Sequence, residues 1–279
     1  MWSRVWKRFL RQRLSLIGMG LIISVLLIAA LSPIISPYKP HSQHWGKEYA
    51  RPGGTFLLGT DALGRDVLSQ LIWGARTSIL VALAGVIVAG IIGTLCGAVT
   101  GYFGGKIDQA GIMVTDTILT LPAFFFLIVV ASVLSVRSLP VMAMAIGLID
   151  WPMMARVVRS QVMSLRERTY IEAARAQGVR EIVILVRHVM PNSIAPIIVV
   201  STLSMARYIL YEAALAFIGL GDPQAISWGS LLAQGRSVMN TCWWLTIFPG
   251  AMIFITVLGF NLGGDGLRDA LDIRLVERG

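Results

Sequence analysis

Six long apolar stretches, at positions 16–35, 79–99, 112–134, 139–154, 194–220 and 243–262, constrain this chain more than any other feature. A helix crosses the hydrocarbon core of a bilayer with roughly 20 apolar residues. Six such stretches in 279 residues leave too little amphipathic sequence to cover a soluble core. The expected fold is therefore all-α, a polytopic membrane helix bundle with about six transmembrane helices. Composition agrees, because only 14% of residues are charged where a soluble domain carries about 25%. The formal charge of +9 does not indicate nucleic acid, since the basic residues flank apolar stretches instead of clustering on a soluble module. Only two cysteines occur, Cys96 and Cys242, and no disulfide framework or zinc spacing can be built from them.

The first stretch follows Arg4, Lys7, Arg8, Arg11 and Arg13. That resembles the start of a secretory signal, but the apolar run is longer than a signal core and has no convincing cleavage site, so an uncleaved first helix is expected. With the N-terminus in the cytoplasm, 16 Lys and Arg residues fall in inside segments and 7 in outside segments, Arg207 lying within the fifth stretch. Cytoplasmic loops carry the excess of basic residues, so both termini are expected inside. The largest external segment is then 36–78. The chain divides on this reading into 1–78 (N-terminal segment, first helix, external loop) and 79–279 (the core).

Gly85, Ala89, Gly93, Gly97, Gly101 and Gly105 recur every fourth residue. This flat stripe lets another helix backbone approach closely, which is how helices associate in lipid.

Residues 156–192, between the fourth and fifth stretches, hold seven Arg and three Glu. Positions 170–178 read as a short helix ending at Gly178, which suits a sharp turn. A second helix from about Arg180 is expected to stop before Pro191-Asn192. Read without reference to other proteins, the segment is either a compact helical knob or an ordinary solvated loop.

The spacing Glu172-Ala173-Ala174, Gly178 and Met190-Pro191 resembles the EAA coupling loop of ATP-binding-cassette importer permeases, with His188 and Met190 where that loop usually has Ile and Leu. A second patch, Gly59-Thr60-Asp61-Ala62-Leu63-Gly64-Arg65-Asp66 followed by Trp73-Gly74-Ala75-Arg76, resembles the C-type subunit of the dipeptide, oligopeptide and nickel permease family. Further matches are Phe217-Ile218-Gly219-Leu220-Gly221, Trp228-Gly229, Phe260-Asn261-Leu262 and Gly266-Leu267-Arg268-Asp269.

The resemblance implies a type I importer permease fold in a bacterial or archaeal cytoplasmic membrane. It implies a homologous second permease chain, two ATPase subunits gripping the coupling loops, and a substrate-binding protein docking outside. Glu172, Ala173, Ala174, Gly178 and Pro191 take the coupling roles. ATP and Mg would belong to the ATPase subunits, this chain holding no cofactor and contacting lipid but no nucleic acid. Di- and oligopeptides are the implied substrates, with nickel complexes or glutathione as alternatives. In the external motif, Gly59 and Gly64 suit tight turns, and Thr60 or Asp61 is placed to cap the helix that enters the membrane.

No ATP-binding motif occurs. The run Gly101-Tyr102-Phe103-Gly104-Gly105-Lys106 lacks both the first glycine and the Ser or Thr of a phosphate-binding loop, so Lys106 reads as an anchor at a helix end. His41 and His44 are too few for a metal site without other ligands, and no catalytic set is visible. Asp116, Asp150 and Arg207 fall in or near spans. Charges there face a cavity or a partner. The expectation is that at least one carboxylate pairs with Arg207 beside the pathway, against a purely structural pair. Pro152 is expected to break or kink its helix. An ion-driven secondary transporter, the rival of another class, would need an internal repeat that the sequence does not show.

Overall fold

The computed structural model describes residues 6, 8–133 and 137–271. Arg4, Lys7, Arg274 and Arg278, which contribute to the charge bias, lie outside the described residues, as does the last residue of the 112–134 stretch. Among the described residues no strand forms. In chain order the helices are α1 (Arg13–Ile35), α2 (Val67–Phe103), α3 (Gly105–Thr120), α4 (Ala123–Val133), α5 (Leu139–Arg166), α6 (Thr169–Ala176), α7 (Glu181–Ile184), α8 (Ile194–Phe217), α9 (Trp228–Gly235) and α10 (Trp244–Leu271). Five of them, α8 being counted with the turns that lead into it, are long and apolar enough to cross a membrane, and α3 with α4 makes a sixth, bent span.

The third span is not straight. Between α3 and α4 the chain turns by 83° at Leu121-Pro122, where proline cannot donate a backbone hydrogen bond and pushes the preceding residue into extended geometry. Leu121 has ψ of 132°. Pro152, by contrast, does not end its helix: α5 runs through it to Arg166, the ring being buried in the bundle.

The longest element is α2. Its 37 residues make a rod of about 55 Å at 1.5 Å per residue, well beyond the roughly 30 Å of a hydrocarbon core. It starts at Val67, before the 79–99 stretch, and passes positions 78 and 79 without a break. The small-residue stripe is where α5 lies against it. A Cβ added at Gly93 would sit 2.7 Å from the Trp151 carbonyl oxygen, at Gly97 2.4 Å from that of Ala155, and at Gly101 2.7 Å from that of Arg159. Gly147 of α5 returns the fit, facing Val88 and Gly85. Gly105 is not part of this surface. It follows the end of α2, has φ of +55° and has open space around it.

Around this pair α8 packs on α2, and α10 packs on α8. The outer helix α1 rests on α10, where Gly18 meets the backbone at Gly263 and Gly266 meets Ser15. Short α9 fits between α8 and α10, its Gly229 against the Ala213 carbonyl. At one end of the bundle segment 37–66 folds into a cap over the start of α2. At the other end α6 and α7 form a knob against the ends of α2 and α5.

Candidate functional site: the knob and the rod it grips

Knob and bundle share a hydrophobic core separate from the main one. Ile171 of α6 and Ile184 of α7, both fully buried, meet Ala98 and Tyr102 of α2 and Val158 and Val162 of α5. The knob is therefore seated on the rods, not hung from a loop. One polar contact adds to this join, and two more brace the knob and the bundle on either side of it. Glu181 accepts a hydrogen bond from the Tyr102 hydroxyl. It also pairs with Arg175 at 2.8 Å. Arg166 donates to the carbonyl of Tyr102 at 3.1 Å, satisfying a free acceptor at the C-terminus of α2. Glu181 stands in the knob, ahead of the spanning part of α8. The Arg175 guanidinium, and then the Tyr102 hydroxyl, hold its carboxyl below the usual glutamate range. Glu181 in turn raises the Arg175 guanidinium.

Gly178 ends α6 as a left-handed cap with φ of +77°. The Gly178 amide donates to Arg175 and the Val179 amide to Ala174, the paired bonds of a Schellman turn. The second knob helix, α7, ends at Ile184, before Pro191, but the chain does not leave its helical path there. After α7 the backbone passes through a wide π turn, Leu185–Val189, and a tight 3₁₀ turn, Met190–Ser193, directly into α8. A π turn changes the hydrogen-bond register, which lets a helical path absorb a proline. The Asn192 side chain then donates to the His188 carbonyl at 2.6 Å.

Of the coupling-loop residues, Glu172, Ala173, Gly178 and Pro191 are exposed and Ala174 is half-buried. Glu172 makes no ion pair among the described residues. It borders a polar hollow of about 460 Å³ with Tyr102, Arg166, Glu167, Arg175 and Glu181.

At the cap, Asp61 is 1% exposed and organises the turn. Its carboxylate accepts from the Leu63 and Arg65 amides, both at 2.9 Å, from Arg65 Nε at 2.7 Å and from Gln70 at 3.0 Å. The α2 cap is neither Thr60 nor Asp61 but Asp66, which accepts from the Ser69 amide at 2.8 Å. Thr60 instead accepts from the Ala50 amide and receives the Trp244 indole N–H on its carbonyl. Gly59 and Gly64 have φ of +81° and +69°, and a Cβ at Gly64 would lie 2.4 Å from the His44 carbonyl oxygen. Arg65 reaches Gln234 near the end of α9 at 3.2 Å. His44 packs between Tyr38 and Phe56, and His41 borders a separate surface hollow.

The intramembrane charges separate. Asp116 of α3 pairs with Arg156 of α5 at 2.8 Å, both half-exposed, beside a cleft of about 770 Å³ between α2, α3 and α5. Asp150 and Arg207 meet at 2.9 Å near the middle of the bundle, and the Tyr208 hydroxyl donates to the same carboxylate oxygen at 2.8 Å. Sequence reasoning misses one acid. Glu212 of α8 is 1% exposed and bonded to Ser78 of α2. Its signal is present in the sequence, an ionisable residue inside a spanning stretch, five positions after Arg207.

A bundle of bent and straight spanning helices carrying such a knob defines an integral membrane permease component. The chain belongs to the family of inner-membrane components of binding-protein-dependent transport systems, whose family model matches residues 93–277. The N-terminal transmembrane domain of oligopeptide transport permease C matches residues 1–52. Among curated relatives, the chain is 37% identical to the dipeptide transport system permease protein DppC of Alkalihalophilus pseudofirmus, across 98% of this chain and 90% of the relative. It is 34% identical to the oligopeptide transport system permease protein OppC of Haemophilus influenzae, across 98% and 88%.

Proposed function

We propose that this chain is one of two permease subunits in an ATP-driven, binding-protein-dependent peptide importer. It forms half of the pathway and converts movement of an ATPase into movement of helices. The observation that carries this reading is the join between knob and rod. Ile171 and Ile184 are fully buried against α2 and α5, and Glu181 binds Tyr102 in the last turns of α2. A displacement of α6 is transmitted to α2, and α2 extends through the membrane to the cap. Support for peptides as the substrate comes from the two relatives' names.

The other parts of the assembly follow. The knob, with both chain termini, faces the cytoplasm of a bacterial or archaeal cell. There exposed Glu172, Ala173 and Gly178 present a small, acid-tipped surface to an ATPase subunit, Pro191 marking the return to α8. Two ATPase subunits hold ATP and Mg, and this chain holds no cofactor. The cap around Gly59, Thr60, Asp61, Gly64, Arg65 and Asp66 faces outside and receives the binding protein. No residue of α3 is buried, so the first half of the bent span lies open for a partner, and a homologous second permease chain closes the pathway there.

The test is co-purification of the chain with its neighbours from the native membrane. An ATPase should accompany it, and Glu172→Lys should release that ATPase while leaving the permease folded. Peptide transport by a preparation free of any ATPase would overturn the reading.

A further inference from the structure

Arg207 is held on one side only. It lies 13 residues into α8, roughly 20 Å along a helix of about 36 Å, which places it near the bilayer middle. A guanidinium there costs about 2.5–3.5 kcal/mol on insertion scales unless it is partnered or faces water. One nitrogen, Nη2, is engaged, donating to Asp150 at 2.9 Å and to Ser204 at 2.9 Å. Among the described residues neither Nη1 nor Nε makes a hydrogen bond. The Arg207 side chain is 38% exposed, whereas that of Asp150 is 9% exposed. The anion is thus the more buried of the two, and the partly exposed cation keeps N–H donors at Nη1 and Nε that are without a partner among the described residues.

The surroundings have a particular chemistry. Tyr211 follows at the i+4 position on the same helical face and is half-buried. It stacks on Tyr208 at 6.3 Å between ring centroids and on Phe124 at 6.4 Å. Phe124 stands at the start of α4, just past the 83° break. An aromatic row therefore joins the bent span to α8 beside the open guanidinium. With both Nη2 hydrogens engaged, the guanidinium keeps single charge-assisted donors at Nη1 and Nε for a carboxylate, beside the half-buried rings of Tyr211 and Phe124.

We propose that Arg207 is a transient binding point for the C-terminal carboxylate of a peptide in transit. This rests on the peptide-importer reading above. The carboxylate is the anionic feature that every linear peptide carries whatever its sequence. Asp150 already neutralises Arg207, which keeps the contact weak. A pathway site must be favourable enough to enter yet weak enough to leave. Asp150, itself held by the Tyr208 hydroxyl, acts as a positioning residue that fixes Nη2 and leaves Nη1 and Nε for the transient contact.

The experiment uses the whole transporter with its partner chains in proteoliposomes. Cys96→Ala and Cys242→Ala remove the native thiols, and Arg207→Cys is introduced. Charged methanethiosulfonate reagents, one cationic and one anionic, then probe the site. Labelling should occur in water. The cationic adduct should recover transport on the order of tenfold over the unmodified variant, in line with one charge-assisted contact, and the anionic adduct should not. Binding protein saturated with a tripeptide should slow labelling at least several-fold, while the same tripeptide as its C-terminal amide should not.

Equal protection by acid and amide overturns the carboxylate role but leaves the importer intact. Absence of labelling in every nucleotide state shows that position 207 does not meet water, and also overturns the proposal. The importer reading fails separately, by transport without an ATPase. If Arg207→Cys does not assemble, a tripeptide with a C-terminal benzophenone residue is cross-linked to the unaltered transporter. Adducts within 204–214 support the site, and adducts confined elsewhere overturn it.

Discussion

Ser78 of α2 donates its hydroxyl to Glu212 of α8 at 2.8 Å, both residues being buried. The same Ser78 oxygen receives the Trp228 amide at 3.4 Å, and the Trp228 indole donates to the Leu71 carbonyl at 3.0 Å. Three elements, α2, α8 and α9, are thereby fastened at one point on the cap side of the bundle.

Removing the acceptor should loosen that point. Glu212→Leu leaves Ser78 with a buried hydroxyl lacking its partner, at a cost of about 1–3 kcal/mol. Glu212→Gln keeps an acceptor oxygen and should cost less. Thermal unfolding of the purified assembly in detergent reads both, and equal stability of the two variants would contradict the buried bond.

The α2–α5 interface makes a prediction with an internal control. Gly97→Ala puts a methyl group 2.4 Å from the Ala155 carbonyl oxygen, and overpacking of this kind costs about 1–3 kcal/mol. Gly90→Ala, on the same helix with open space around it, should be neutral or stabilising by up to about 1 kcal/mol. Melting temperature should fall for the first variant and hold or rise for the second.

Knob coupling can be separated from knob docking. Tyr102→Phe and Glu181→Gln leave the exposed face of α6 unchanged but weaken or remove the bond between α2 and α7. The ATPase should still co-purify, while peptide carried per ATP hydrolysed falls roughly fivefold, the equivalent of about 1 kcal/mol for one hydrogen bond. Unchanged stoichiometry would place the coupling elsewhere.

The same join has a defined pH response. The Glu181 carboxyl is held below its ordinary value by Arg175 and Tyr102, so its contribution is complete above about pH 4.3, the unfolded glutamate value. It is lost only as pH falls below that through the lowered folded value. Melting temperature between pH 5 and 8 should therefore be the same for wild type and Glu181→Gln apart from a constant offset. The offset should shrink below pH 4.

At the cap, Asp61→Ala and Asp66→Ala should differ in severity. Asp66 is a helix N-cap, and losing one costs about 1 kcal/mol. Asp61 is a buried carboxylate with four donors, among them Arg65, and breaking such a pair costs about 3–5 kcal/mol. Proteolysis of segment 37–66 in the two variants checks the order.

Much of the fold was legible because lipid leaves the backbone few options. Apolar length located the spans, since an unpaired peptide group cannot stay in hydrocarbon. The glycines of α2 announced a close helix contact through spacing alone, and Gly178 announced the end of α6. What spacing could not supply was the partner. Nothing local tells that the stripe faces α5, that Asp150 instead of Asp116 meets Arg207, or that Glu212 finds Ser78 134 positions away. Those pairings depend on which helix faces coincide once six spans are packed together, a condition set by the whole bundle. The bend at Leu121-Pro122 and the continuous turn through Pro191 belong there too. A proline removes the same hydrogen bond at each site, and only the surrounding packing decides whether the chain bends, as after α3, or passes through in a wider turn, as before α8.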